Sequence, residues 1–124
     1  MTMREITNHQ NNECNSAIRI TTPDHPSGVG HHYHLAIPNH TVLGGESATI
    51  IQFQDGPIKE VGTNGLTHEA LLAILIDRLQ GFQSGPYACR ENAIALTKLQ
   101  EAKMWLEERT RGRMARGVEG THEK

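Results

Sequence analysis

The sequence predicts an α+β fold in which a small antiparallel β-sheet in the N-terminal half is followed by a C-terminal antiparallel helical hairpin. Three observations carry this. Short alternating or β-branched runs at 17–21, 31–37 and 47–54 are separated by breaks that contain proline or glycine. From Leu71 onward the apolar residues recur instead at three- and four-residue intervals, the helical spacing. Ser84-Gly85-Pro86 then interrupts the helical pattern, and so short a link returns the second helix antiparallel to the first. The 124 residues read as a single domain, 1–124, with 17–62 as its sheet portion and 65–121 as the hairpin and an arginine-rich tail.

Residues 1–16 are polar and Asn-rich, a frayed arm or short edge element. Ala17-Ile18-Arg19-Ile20-Thr21 suits a first strand, and Pro23 to Gly28 a loop, because proline removes ladder donors. In His31 to Ile37, alternation sets Tyr33, Leu35 and Ile37 on one face and His32, His34 and Ala36 on the other. A short strand at Thr41-Val42-Leu43 and a Gly44-Gly45 turn lead to the strongest strand, 47–54. Asp55-Gly56 signals a hairpin, which makes 57–61 its return strand. Thr67 is placed to cap the first helix, with Glu69 favoured in its first turn. That helix carries a stripe of Leu71, Ile74, Leu75, Arg78, Leu79 and Phe82. The second runs from 88 to 110 with Asn92, Leu96, Leu99, Ala102/Lys103 and Leu106 on one face, and Gly112 and Gly117 end it. Ile94, Met104 and Trp105 lie off that face, a second apolar surface that suggests contacts with both the chain's own sheet and another subunit.

Composition narrows the function. At 36% apolar with five aromatics, a monomer has a thin core, which favours an oligomer that completes it between copies. A net charge of −2 gives no general attraction to nucleic acid or membrane. Within that neutral chain Arg109, Arg111, Arg113 and Arg116 form an acid-free run, either a local anion site or a solvated helix end. There is no signal peptide and no apolar run of membrane-spanning length, and Cys14 and Cys89 do not make a disulfide framework. The expectation is a soluble intracellular protein with reduced thiols.

Catalysis finds weak support. His31, His32, His34 and His40 are numerous enough for a metal, but no acidic residue or cysteine stands near them in sequence, and histidines on a wet strand face are the commoner explanation. Cys89 opens a helix beside Arg90, which favours a thiolate, yet no dedicated base accompanies it. No catalytic residue, metal or cofactor is therefore assigned. Binding groups are better represented. Phe82 and Tyr87 bracket the interhelical turn and offer rings for stacking on a purine, although Phe82 also continues an apolar stripe and reads equally as core. Asn92 has the amide to read an adenine edge. Arg90 and the first backbone donors of the second helix suit an anion, and the arginines at 109–116 suit phosphates.

At these residues the chain resembles the phage Thoeris anti-defence sponge family. The likeness runs through Gly56-Pro57-Ile58-Lys59-Glu60-Val61-Gly62, Asn64-Gly65-Leu66-Thr67, Ile76-Asp77-Arg78-Leu79-Gln80-Gly81-Phe82 and Ala88-Cys89-Arg90-Glu91-Asn92-Ala93, and ends in Ala115-Arg116-Gly117-Val118-Glu119-Gly120-Thr121. The second half is also similar to the hairpin of the phage anti-CBASS sponge that binds cyclic oligonucleotides. The resemblance implies a non-catalytic homo-oligomer, dimer or hexamer, that sequesters cyclic ADP-ribose isomers in the cytoplasm of an infected bacterium. It implies a pocket between paired subunits, with Phe82 and Asn92 at the adenine or its ribose and Arg109 at the diphosphate, a pocket to which Tyr87 as a second ring and Arg90 as an anion contact are also assigned. It further implies a second site for cyclic di- or trinucleotides at Arg113, Arg116, Gly117, Val118 and Thr121. The rival reading is a small nucleic-acid-binding regulator that uses the hairpin and its arginine end.

Overall fold

The computed structural model describes residues 2–38 and 46–122. Contacts divide the chain into two units, Met1–Asp55 and Gly56–Lys124. The expected strand at Thr41 to Leu43, the Gly44-Gly45 turn and His40 lie outside the described residues.

The first unit is a four-stranded antiparallel meander, β1 (Met3–Ile6), β2 (Arg19–Pro23), β3 (His32–Pro38) and β4 (Glu46–Gln52), in the order β1-β2-β3-β4. Alternation sets its faces. Ile6 pairs with Ile20, Ile20 with Leu35, and Tyr33 with Ile51, so their half-buried side chains share one face. His34 pairs with Ile50 on the opposite face, where both are exposed. Tyr33 and Phe53 meet edge to face at 5.7 Å on the apolar side, and the buried Thr22 donates its hydroxyl to the His32 carbonyl at 2.6 Å. Strand β1 was not expected as a full member of the sheet. Its residues are nearly all exposed, and its stability comes from pairing with β2. Between β1 and β2 lies a single helical turn, α1 (Glu13–Ser16), capped by the Asn12 side chain.

The second unit opens with a correction. Residues 57–61 are not a return strand; Ile58–Val61 forms a helical turn, α2. Pro57 sits at its N-cap with φ −67°, a position where proline's missing N–H costs nothing, and Asp55-Gly56 marks the junction between units rather than a hairpin. Helix α3 (His68–Gln83) begins where expected, with Thr67 Oγ1 accepting the Ala70 N–H at 3.1 Å. Replacing Thr67 with alanine is expected to cost about 1 kcal/mol of helix stability. Chemical denaturation of the purified variant measures it, and an unchanged midpoint would show that the cap contributes nothing.

Helix α4 (Arg90–Ala115) starts two residues later and ends five later than expected. Gly112 is accommodated inside it. Among the half-buried residues of the hairpin, Glu69, Leu72, Ile76, Leu79 and Gln83 follow one line on α3 and Asn92, Leu96, Leu99, Lys103, Leu106 and Thr110 another on α4, with Ala70, Leu71 and Phe82 of α3 also half-buried. Both sets step by three and four residues, the seam of an antiparallel coiled-coil hairpin. The expected α3 stripe holds in part: Leu71, Leu79 and Phe82 are half-buried, but Ile74, Leu75 and Arg78 are exposed, and Leu72 and Ile76 take inward places instead. Lys103, not Ala102, occupies the α4 seam and pairs with Glu107 at 3.0 Å.

Among the described residues no apolar side chain is buried; Thr22 and Arg113 are the buried ones. Trp105 is 62% exposed and Met104 48%, on the α4 surface expected to face another subunit. With 26 residues against 16, α4 outreaches α3 by about 15 Å.

Candidate functional site

The candidate residues fall at the two ends of α4. At the hairpin apex, Phe82 on the last turn of α3 and Tyr87 in the connection meet edge to face at 5.9 Å. The Arg78 guanidinium lies 4.9 Å from the Phe82 ring centroid, a cation–π contact that was not anticipated because Arg78 was read as part of the packing stripe. Its signal was available: a residue four before Phe82 on a helix lies over the same face. Phe82 is half-buried and Tyr87 is 70% exposed. Phe82 is therefore neither core nor a free platform, but a ring held between a cation and a second ring.

Helix α4 starts beside this pair. Cys89 is its N-cap, with Sγ accepting the Asn92 N–H at 3.5 Å and its own N–H donated to Gln83 Oε1 at 3.1 Å. The thiol thereby has a capping role. Asn92 is half-buried at the first turn, and Arg90 is open to solvent with Glu91 3.9 Å away. An exposed pair at that distance leaves the guanidinium available to an anion. Phe82, Tyr87, Asn92 and Arg90 are thus gathered at one end of the hairpin.

Arg109 is not with them. At 1.5 Å per residue it lies about 25 Å further along α4. There Arg109, Arg113 and Arg116, with Glu108 and Gly112, line a depression of about 410 Å³. The four arginines of this run have different employments. Arg111 is paired with Glu108 at 2.6 Å. Arg113 is only 5% exposed. Arg109 and Arg116 are exposed.

The burial of Arg113 follows from how the helix ends. Gly117 takes φ +74°, a conformation that glycine adopts without strain, and lets the chain reverse. The Gly117 N–H then bonds the Met114 carbonyl and the Val118 N–H the Arg113 carbonyl, both at 3.0 Å, the two bonds of a Schellman cap. The reversed chain wraps the Arg113 side chain, whose Nη2 donates to the carbonyls of Val118 at 2.9 Å and Thr121 at 3.0 Å, while Nε faces Glu119 Oε2 at 3.5 Å. This hook docks on α2: the Lys59 N–H bonds the Gly120 carbonyl at 3.2 Å, and His122 Nε2 meets Glu60 Oε2 at the same distance. Gly120, at φ +81°, has the Lys59 Cγ 3.1 Å from where a Cβ would stand. Segments 56–62 and 116–121, far apart in sequence, are one structure. Of the proposed second-site residues, Arg113 is the internal support, and Gly117, Val118 and Thr121 form the loop around it.

Of the histidines weighed as a metal group, His40 lies outside the described residues. His34 is exposed on β3, whereas His31 meets His25 and Asp55. No helix among the described residues is long and apolar enough to cross a membrane.

With this geometry in place, two comparisons are informative. Residues 46–111 match the family model described as Acb2/Tad1, hairpin domain. Over 82 residues the chain is 58% identical to "Thoeris anti-defense 1" of Bacillus phage SBSphiJ7, a stretch that covers 66% of this chain and 57% of that relative. The match therefore spans little more than half of the relative's length.

Proposed function

The chain belongs to the Acb2/Tad1 hairpin-domain family, and on that premise we propose that it is a phage anti-defence protein. In this reading it sequesters cyclic ADP-ribose-type signalling molecules in the cytoplasm of the infected host and releases them unchanged. The single observation that carries the reading is the separation of complementary groups along α4. Stacking rings and an amide stand at its start, and an exposed guanidinium stands about 25 Å away. No small cyclic dinucleotide-sized ligand reaches both in one chain. Two copies with antiparallel hairpins bring the apex of one to Arg109 of the other, which gives a dimer two equivalent pockets.

The surface supports such pairing. Trp105, Met104, Ile94 and Ile74 are exposed on the hairpin, and no apolar side chain among the described residues is buried in the single chain. Within a pocket Phe82 and Tyr87 stack on the adenine, Asn92 reads its edge or the ribose, and Arg90 and the partner's Arg109 hold the diphosphate. A sponge must bind below the messenger's cellular concentration, and nanomolar affinity needs about 12 kcal/mol. Base stacking and charge-assisted bonds in a closed interface supply that scale of energy. At the hook, Arg109 and Arg116 line the depression with Arg113 beneath, and this end is the place for a cyclic di- or trinucleotide, also within a larger assembly such as a hexamer.

Sequestration has a direct test. Protein saturated with a cyclic ADP-ribose isomer, freed of excess and heated, is expected to release the intact isomer in mass spectrometry, close to one per pocket. Recovery of linear ADP-ribose would make the protein an enzyme and overturn the reading. The rival reading, a nucleic-acid-binding regulator, is weakened because Arg111 and Arg113 are engaged by Glu108 and Glu119. It requires steeply salt-dependent binding to generic duplex.

A further inference from the structure

We propose that His25, His31 and Asp55, all in the first unit, form a site for a divalent transition-metal ion, with zinc as the ion it fits. One ligand atom from each residue lies within 4.8 Å of the other two. His25 Nε2 stands 3.5 Å from Asp55 Oδ2, and His31 Nε2 stands 3.7 Å from Asp55 Oδ1. Both separations exceed the range of a hydrogen bond, about 2.7–3.2 Å for N–H···O. They are close to the spacing of two atoms that share a metal, since tetrahedral zinc with bonds of about 2.0 Å holds its ligands about 3.3 Å apart. The two imidazoles cross at 74° with centroids 4.3 Å apart, so neither ring blocks the other's approach to a common centre. The two distances run to different oxygens of Asp55. With one atom from each residue within 4.8 Å of the others, a closure of up to about 1.5 Å completes a site of two nitrogens and one oxygen, the donor set zinc accepts with a water or an anion in the remaining place.

The surroundings supply the support such a site needs. His31 is the most enclosed of the three, with 13% of its side chain exposed, and its backbone carbonyl accepts the Phe53 N–H at 2.7 Å, which fixes it to the strand end that carries Asp55. His25 is set by its own turn, closed by the Gly28 N–H on the His25 carbonyl. Its Nδ1 lies 2.7 Å from Ser27 Oγ and 3.1 Å from the Ser27 nitrogen. Without the ion, Nδ1 accepts from the Ser27 N–H. With the ion on Nε2, Nδ1 carries the proton, gives up the bond from the Ser27 N–H and donates to Ser27 Oγ instead, a second partner of the kind that orients a ligating histidine.

The site also has a purpose that the fold makes plain. This 55-residue unit has no buried apolar side chain among its described residues, and a structural metal is one way a unit with so thin a core gains stability. The ion would tie the β2–β3 connection to the end of β4 across the sheet.

The experiment uses the full chain without a histidine tag, stripped with a chelator and titrated with Zn2+ alone, then with Co2+ for its visible absorption. Wild type is expected to take one ion per chain and to melt several degrees higher with zinc in excess. His25→Ala, His31→Ala and Asp55→Asn are each expected to lose more than about tenfold in affinity, and Ser27→Ala about tenfold. His34→Ala and Cys14→Ser, at exposed positions, are expected to bind as wild type. His25→Gln, on a loop, guards against misfolding, with circular dichroism of the metal-free chain as its control. Failure of wild type to take up either ion, or uptake unchanged in His25→Ala and His25→Gln, overturns the proposal.

Discussion

Co-expressed Phe82→Ala and Arg109→Ala chains are expected to recover roughly a quarter of wild-type ligand capacity, although either variant alone captures little. Losing the stacking ring removes about 1–3 kcal/mol per base, and losing a charge-assisted guanidinium contact removes about 1.5–3 kcal/mol. Each variant is therefore weakened about fivefold or more, and a ligand concentration set between the two affinities separates them. The recovery follows from geometry. In a mixed dimer one pocket holds both defects, and the other joins an intact apex to an intact Arg109. Random pairing makes half the dimers mixed, each with one working pocket of two. Equilibrium dialysis on the co-purified, differently tagged chains measures the capacity, and unchanged helical circular dichroism shows that Phe82→Ala still folds. A mixture no better than the single variants would place all the contacts within one chain, and the antiparallel pairing would be wrong.

The same distance explains what the sequence could and could not disclose. The hairpin was legible because its signals are local: Thr67 caps α3, the seam repeats by threes and fours, and the short turn leaves the helices no other arrangement. The apex was legible for the same reason, since Phe82, Tyr87 and Asn92 lie within one turn-and-helix segment. Family membership was readable from the runs around that segment and holds over residues 46–111. Errors came where two conformations share a pattern. Ile58 and Val61, three apart, suit a strand's edge or a helical turn, and only Pro57 as N-cap distinguishes them. Ile74 and Leu75 are as apolar as Leu72 and Ile76, so periodicity alone did not decide which of them join Leu71, Leu79 and Phe82 on the half-buried side. Gly112 looked like a stop, but a glycine within a well-bonded helix costs only about 1 kcal/mol. The His25–His31–Asp55 cluster was unreadable because Asp55 reaches the histidines across the sheet, not along the chain. The hook was unreadable for a related reason. Nothing in an arginine's sequence neighbourhood distinguishes a solvated guanidinium from one enclosed by its own tail.

That last distinction makes Arg113 the most consequential single side chain for stability. Arg113→Ala is expected to destabilise the hook by about 3 kcal/mol, the lower end for breaking a buried ion pair, because Glu119 remains 37% exposed and can rehydrate. The substitution leaves the Val118 and Thr121 carbonyls without their guanidinium donor and removes the packing around which the reversed chain is wound. Arg113→Lys keeps the charge but cannot present one planar fork to two carbonyls and a carboxylate together, so an intermediate loss is expected. The damage is local, because the Schellman bonds at Gly117 and the α3–α4 seam involve only backbone or other side chains. Trypsin reads this directly: the Arg116–Gly117 bond lies inside the hook, and its cleavage is expected to accelerate about a hundredfold in Arg113→Ala if opening limits access. Capture of a ligand at the apex should change little in the same preparation. Equal cleavage rates in wild type and Arg113→Ala would mean that the cap and the Lys59–Gly120 bond suffice to hold the hook closed, and would return Arg113 to the role of a ligand-facing cation.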